Sequence, residues 1–154
     1  EDPKAMDELW TARRELAWAV ASYREDLDPV QSGDVTVPIS RFPELLRYIR
    51  ELGTERDFLV PCFGHAGDGN IHYTVLVDES DSEHVRRGEQ LYEDVVHKAL
   101  QMGGTATGEH GIGRGKRKFM ESEHGPAGVN VMRRIKTALD PDNIMNPEAI
   151  FPDN

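Results

Sequence analysis

The sequence has little cysteine, no long apolar run and no excess of positive charge. Its one cysteine, Cys62, cannot form a disulfide within the chain, which favours a reducing, cytoplasmic compartment. No stretch approaches the roughly 20 apolar residues that cross a bilayer, so we expect no membrane span. The net charge of -10 repels phosphate backbones and makes nucleic acid a poor candidate partner. What is left is one acidic domain, because 154 residues with 38% hydrophobic content suffice for a single core.

The periodicity of apolar residues predicts an α+β domain. In chain order it indicates a strand over 34–38, a helix over 41–52, strands over 58–64 and 71–77, a helix over 82–102 and a short strand over 105–107. We expect Ser40 to cap the first of these helices and Gly53 to end it. This order is that of the ferredoxin-like βαββαβ fold, an antiparallel sheet with its helices on one face. An N-terminal helix over 5–25 and a C-terminal helix from residue 125, ended by Asp140-Pro141, complete the prediction.

Two histidines stand at the two ends of the turn between the predicted strands 58–64 and 71–77. If residues 66–71 form the loop, His65 and His72 face each other across a hairpin and share one face of the sheet. Two imidazoles in that position can bind one metal ion. The alternative is that both are surface residues or hydrogen-bonded fillers, and spacing alone leaves it open. The other histidines besides His110 are expected to be ordinary surface residues: His84, His97 and His124.

A glycine-rich segment over 103–118 is the second unusual pattern. It is not a P-loop, because Arg117 stands where Ser or Thr should follow Gly-Lys, and it lacks the dinucleotide-binding spacing. Within it, Glu109 can add a carboxylate to the two histidines, and His110 is a candidate base. An exposed charged pair in a glycine loop is the alternative. Cys62 is expected to point to the opposite face of its strand and to belong to the core.

Three segments in order resemble one family: FGHAGDGNIH (63–72), GGTATGEHGIGRGKRKFM (103–120) and MRRIKTALDPDNIMNP (132–147). They are similar to the C-terminal part of the FAD-linked 2-hydroxyacid oxidases and dehydrogenases, and LWTARRELAW (9–18) and DVTVPISRFPELL (34–46) extend the resemblance. The resemblance implies a cap domain on the substrate side of a flavin active site. It implies the following roles: metal ligands His65, His72 and Glu109, catalytic base His110, substrate carboxylate ligand Arg13, and flavin contacts Asn146 and Asn70.

The resemblance also bears on the substrate and on the cofactors. Relatives specific for dicarboxylates place further polar and basic groups where this chain has Ala17 and Ser32, and an asparagine where it has Thr74, an implied substrate-binding residue. This implies a small D-2-hydroxy acid such as D-lactate or glycolate. The implied cofactors are FAD and one divalent metal ion, zinc or manganese.

The family binds its flavin mainly in a separate domain, which these 154 residues do not contain. We therefore expect residues 1–154 to be a cap domain that works with a flavin domain of the same protein and an electron acceptor, and to be inactive alone. Two other interpretations stay open on the residues themselves. A metal-dependent hydrolase would use the same three ligands to activate water, and a metal-free interaction module would use the glycine loops as a docking surface.

Overall fold

The structure of the chain is a computed structural model that describes residues 2–151, without the side chains of residues 17, 21, 30 and 31. Short 3-10 turns precede the second and fourth helices and the third strand. The helices and strands are α1 (Pro3–Ala21), β1 (Asp28–Thr36), α2 (Phe42–Arg56), β2 (Cys62–His65), β3 (Asn70–Val77), α3 (Ser82–Gln101) and α4 (Met120–Leu139).

The sheet is antiparallel with the strand order β1-β3-β2. Thr105 adds one bridge to Thr36 along the other side of β1. The order strand, helix, strand, strand, helix, bridge confirms the ferredoxin-like α+β fold, and α1 and α4 lie outside this unit. None of the helices among residues 2–151 is both long and apolar enough to cross a bilayer.

The segment expected as a fourth strand pairs with β1 only at its start. The backbones of Thr36 and Thr105 exchange both hydrogen bonds, but Thr107 donates its N–H to the side-chain oxygen of Thr105, at 3.2 Å. This local bond removes a ladder donor. The chain returns to β1 at Gly108, whose N–H donates to the carbonyl of Asp34 at 3.2 Å. The result is a loop held against β1.

The expected ends of α2 are wrong at both sides. Helix α2 begins at Phe42 after a 3-10 turn, and no side chain caps it, so Ser40 is not its cap. Gly53 lies within the helix, where it allows a close approach of Val60. The helix ends at Arg56, four residues later than expected, because Asp57 adopts a left-handed conformation with φ of 61°.

Three further boundaries differ from the prediction. Strand β1 begins six residues earlier than expected, and β2 is confined to Cys62–His65. The residues before β2 still follow β3, since Pro61 accepts a hydrogen bond from the Thr74 N–H at 3.1 Å, but proline cannot donate one in return. Helix α1 ends at Ala21, four residues earlier than expected. Helix α4 has a non-helical break at Gly125, so its helical run after this residue, which ends before Asp140, agrees with the prediction.

The two faces of the sheet have different roles. Val35, Ile71, Tyr73 and Val75 point toward α2 and α3 and form the buried apolar core with them. Because side chains alternate along a strand, the residues between them point to the opposite face. That face carries the polar residues of the candidate site.

Two sequence predictions about single side chains have different outcomes. Cys62 packs against the core as expected, and burial raises the pKa of its thiol to about 11. His84 is not an ordinary surface residue, because its ring stacks on Phe58 with centroids 4.6 Å apart. Its Nδ1 atom accepts a hydrogen bond from the Asp78 N–H at 3.1 Å, which ties the start of α3 to the end of β3.

Two glycines with the same backbone conformation allow a test of the hairpin that carries both histidines. Gly69 and Gly103 have φ of 75° and 76°, but a Cβ at Gly69 would lie 2.0 Å from the Val37 carbonyl oxygen, whereas a Cβ at Gly103 meets nothing within 4 Å. We expect Gly103→Ala to lower the free energy of unfolding by about 1–2 kcal/mol, the cost of a left-handed alanine. Gly69→Ala should cost about 1–3 kcal/mol more, because the backbone of Val37 must move. Urea denaturation followed by circular dichroism measures both, and equal losses would contradict the proposed packing.

Candidate metal centre and active site

The register of the β2–β3 hairpin places His65 and His72 on the same face as neighbours along a diagonal. His72 lies opposite Phe63, and His65 lies opposite Asn70. The expectation that the two histidines oppose each other directly is therefore wrong, because the tight turn ends at Gly69, two residues earlier than assumed, and β3 begins at Asn70. The expectation that they share a face is confirmed. Their ring centroids lie 5.6 Å apart.

The loop after Thr105 brings Glu109 to the two histidines. One carboxylate oxygen, Oε1, lies 3.0 Å from His72 Nε2 and 3.5 Å from His65 Nε2. One ligand atom from each of the three residues falls within 4.8 Å of the others, a spacing that can hold a metal ion. Residues distant in sequence thus form the cluster that the sequence analysis assembled.

His72 is the most deeply buried of the three candidate ligands. Its side chain is 9% exposed, whereas those of His65 and Glu109 are 40% and 52% exposed. Burial lowers the pKa of His72 and outweighs the nearby carboxylates of Asp34 and Glu109, which raise it. His72 is therefore neutral near pH 7 and offers a lone pair, as a metal ligand must.

Asp34 joins the strands to the loop, and the sequence analysis missed it. Its Oδ2 accepts hydrogen bonds from the backbone N–H groups of Glu109 at 2.8 Å and His110 at 2.9 Å. Its Oδ1 accepts from Asn70 Nδ2 at 2.7 Å and lies 3.4 Å from His72 Nδ1. The only sequence signal was a charged residue on the polar side of the alternating DVTVP segment, which does not reveal the partners.

A buried lysine, also missed, completes the surroundings of Asp34. Lys116 Nζ donates to the Asp34 carbonyl at 2.8 Å and lies 3.6 Å from Asp34 Oδ2. Burial lowers the pKa of Lys116. Burial alone would raise the pKa of Asp34, but the N–H groups of His110 and Glu109, followed by Asn70 and Lys116, together hold it at about 2. Asp34 is therefore a carboxylate at neutral pH.

His110 and Arg13 lie beside two different ligands of the cluster. His110 Nε2 is 3.6 Å from Glu109 Oε1, and the His110 ring centroid is 5.3 Å from that of His72. The Arg13 guanidinium on α1 lies 5.9 Å from the centroid of Phe63, which in turn contacts the His72 ring. Arg13 and His65 also share a cavity of about 600 Å³ with other residues of α1. His110 thus lies beside Glu109, and Arg13 lies beside His65.

Thr74 and Asn70 flank His72 on the same face of β3. Thr74 is 5% exposed and lies opposite Ser32, while the Ala17 side chain lies outside the described residues. Asn70 donates to the carboxylate of Asp34, and its Oδ1 is a buried acceptor that lacks a donor among residues 2–151. The flavin contact expected of Asn70 stays a prediction.

Asn146 belongs to the irregular segment after α4. It is exposed, with φ of 48°, and it follows a turn in which the Asp140 carboxylate accepts the N–H groups of Ile144 and Met145. The segment is held to the residues that follow the Glu109 loop, because the Ile150 N–H donates to the Gly113 carbonyl at 2.8 Å. The expected role of Asn146 toward a flavin also stays a prediction.

The fold and the cluster define a ferredoxin-like domain whose polar face can hold a divalent ion. The sequence of residues 1–150 matches the family described as FAD linked oxidases, C-terminal domain. The chain therefore belongs to this family.

Curated relatives support the same assignment. The chain is 41% identical over 152 residues to the mitochondrial D-lactate dehydrogenase [cytochrome] of Arabidopsis thaliana. This match covers 99% of this chain and 27% of the relative. It is 36% identical to the D-lactate dehydrogenase of Anaerostipes hadrus, over 97% and 31% of the two chains. It is 38% identical to the glycolate oxidase subunit GlcD of Bacillus subtilis, over 77% and 25%. The chain thus spans about a quarter to a third of the length of these relatives.

A solved structure supports the fold. The 4-ethylphenol oxidase from Gulosibacter chungangensis, in an isoeugenol complex, superposes with a TM-score of 0.64 over 99% of this chain and 32% of its own. At 17% identity, this likeness bears on the fold alone.

Two nearby lysines test whether the buried contact with Asp34 is important for stability. Lys116→Met keeps the apolar stem but removes the hydrogen bond to the Asp34 carbonyl and the cation beside its carboxylate. We expect a loss of about 3–5 kcal/mol in the free energy of unfolding, as when one partner of a buried pair is removed. Lys118→Met is the matched control, because the pair of Lys118 with Glu93 is 45% and 34% exposed and should be worth about 1 kcal/mol or less. Similar losses for the two variants in urea denaturation would contradict the role given to Lys116.

Proposed function

We propose that this chain is the substrate- and metal-binding domain of an FAD-dependent dehydrogenase that oxidises a small D-2-hydroxy acid to the 2-oxo acid. The observation that carries the proposal is the convergence of His65, His72 and Glu109 beside His110. Membership of the FAD linked oxidase family supports it, as do relatives named D-lactate dehydrogenase and glycolate oxidase subunit. The same relatives favour an oxidoreductase over the hydrolase that the three ligands alone would also allow.

The donor set fits a first-row divalent ion such as zinc or manganese. It consists of two imidazoles and one carboxylate, and the more buried imidazole is neutral near pH 7. Three protein ligands leave further positions open for a substrate. When bound, the ion would act as a Lewis acid toward the hydroxyl and carboxylate oxygens of a 2-hydroxy acid.

His110 is the residue that we propose as the general base. Its side chain is 63% exposed and lies beside Glu109, so it can reach a substrate that contacts the three ligands. It would take the proton from the substrate hydroxyl, while FAD, held by a domain outside this chain, supplies the acceptor for the hydride from the substrate Cα. Loss of that proton and that hydride leaves the 2-oxo acid.

Arg13 and Thr74 are proposed to bind the rest of the substrate. Arg13 lines the cavity that contains His65, together with Arg14, and a guanidinium can bind a carboxylate through two parallel hydrogen bonds. Thr74 and Ser32 are small hydroxyl residues on the same face as His72 and offer no cation for a second carboxylate. This favours a substrate of the size of D-lactate or glycolate.

The partners and the compartment complete the proposal. We propose that Asn146 and Asn70 face the flavin, and that the reduced flavin passes its electrons to a separate acceptor. A cytoplasmic location is proposed from the single, unpaired Cys62, although the Arabidopsis relative is named mitochondrial. Cell fractionation separates these compartments.

Metal binding is the first test. Purified without a histidine tag and loaded with Zn²⁺ or Mn²⁺, the chain should retain about one ion, as a three-ligand site does. His72→Ala should abolish retention, because two donors do not form a stable site. His97→Ala removes an exposed imidazole of α3 and serves as the control, with retention expected to be unchanged. Elemental analysis by mass spectrometry gives the stoichiometry, and full retention by a His65→Ala, His72→Ala double variant would refute the site.

Kinetics of the longer flavoprotein that the proposal requires would separate the base from the ligands. His110→Ala should keep the metal and lower kcat by about 10²–10⁴-fold, the usual contribution of a general base. Glu109→Ala should lose metal and activity together, because its role is ligation. Metal content and steady-state rates with D-lactate and glycolate are measured on both variants. If His110→Ala loses the metal and Glu109→Ala keeps it, the two roles are reversed and the mechanism is wrong.

A further inference from the structure

We propose that Asp34 is a positioning residue that orients the donor atoms of the metal site in two ways. It holds the proton of His72 on Nδ1, and it holds the Glu109–His110 backbone in place. The inference rests on the proposed metal site and adds a residue outside the three ligands. It concerns binding geometry, so it can be measured without the flavin.

The two nitrogens of His72 point to two different carboxylates. Nδ1 lies 3.4 Å from Asp34 Oδ1, and Nε2 lies 3.0 Å from Glu109 Oε1. A neutral imidazole carries one N–H and one lone pair. If Nε2 is to bind an ion that Glu109 also binds, the proton must be on Nδ1, and Asp34 is the acceptor within reach. Carboxylates behind metal-bound histidines have this role in general, since they fix the tautomer and the orientation of the ring.

The same carboxylate holds the loop that supplies the other groups. Asp34 Oδ2 accepts the backbone N–H groups of both Glu109 and His110. Gly108 allows this close approach, because a Cβ there would lie 2.3 Å from Asp34 Oδ1 and 2.0 Å from Asn70 Nδ2. A shift of Asp34 would therefore move the strand ligand and the loop ligand together.

The surroundings of Asp34 are those of a fixed group. Asp34 is 2% exposed, and Asn70 Nδ2, two backbone N–H groups and Lys116 satisfy its oxygens. Asn70 and Lys116 are 5% and 8% exposed, so the supporting residues are also enclosed. Side chains that are enclosed and hydrogen-bonded in this way keep a ligand in one orientation.

Asp34→Asn distinguishes the two tasks of the carboxylate. The amide oxygen can take the place of Oδ2 and keep the two loop N–H groups. The amide NH₂ then takes the place of Oδ1, so that the side-chain amide of Asn70 must turn to accept from it. The same NH₂ faces His72 Nδ1, which favours the lone pair on Nδ1 and the proton on Nε2, the atom needed for the metal. We expect the affinity for Zn²⁺ to fall by about 10–100-fold, the usual effect of losing such a partner. Asp34→Ala, which also releases the loop, should lose more.

Zinc affinity is measured by competition with a chromogenic chelator on the full chain. Asp68→Asn is the matched control, because it makes the same substitution at an exposed aspartate of the β2–β3 turn, and its affinity should stay within about twofold of wild type. If wild type and Asp34→Asn bind zinc equally, the inference fails while the metal site stands. If wild type binds no zinc, the proposed function fails and the inference with it.

A second measurement does not depend on the folding of a variant. In the zinc-loaded wild type, ¹⁵N NMR of labelled histidines should show His72 bound through Nε2, with an Nδ1 proton that exchanges slowly with water. A purely structural role for Asp34 would not require this protection. Ligation of His72 through Nδ1, or an Nδ1 proton that exchanges at the rate of an exposed imidazole, overturns the inference.

Discussion

The candidate site depends on one buried carboxylate. Asp34 receives hydrogen bonds from a side chain of β3 and from two backbone groups of the 108–110 loop, and it lies beside the Lys116 ammonium. A carboxylate enclosed by protein is unfavourable unless its oxygens are satisfied. The four groups that satisfy it come from three separate stretches of chain. The contacts that satisfy this buried charge are therefore the same contacts that assemble the site.

The site is enclosed on one side, where its residues are buried, and open at its rim, where they are exposed. Asp34, Asn70, His72 and Lys116 are buried, whereas His65, Glu109 and His110 are 40–63% exposed at their side chains. Electrostatic interactions are strongest on the enclosed side, where the residues that orient the ligands lie. The rim keeps access for a small molecule, and Arg13 of α1 lies beside His65. A rigid enclosed side and an accessible rim suit a centre that binds and releases a substrate many times.

Some features followed from local sequence, and others did not. The alternation of apolar residues predicted β3 and its two faces, and the spacing of apolar residues predicted α3 almost to the residue. The end of α2 was missed because Gly53, expected as a stop, is used to pack Val60 against the helix. The fourth strand was overestimated because Thr105 takes the N–H of Thr107 for itself. In each failure a specific contact outweighed a general residue preference.

The sequence by itself determined the fold class, the identity of the three candidate ligands and the membership of Cys62 in the core. The fold class and the place of Cys62 depend on residue type and on period, which are properties of a short segment, whereas the set of three ligands also rests on the family resemblance. Only the tertiary structure decided that His65 and His72 are diagonal neighbours, and that Asp34 and Lys116 stand behind them. The physical reason is that Asp34 and Lys116 are 82 positions apart, and Asp34 and His110 are 76 apart. No local pattern encodes such pairings, because they are selected by the register of the sheet and by the need to satisfy a buried charge.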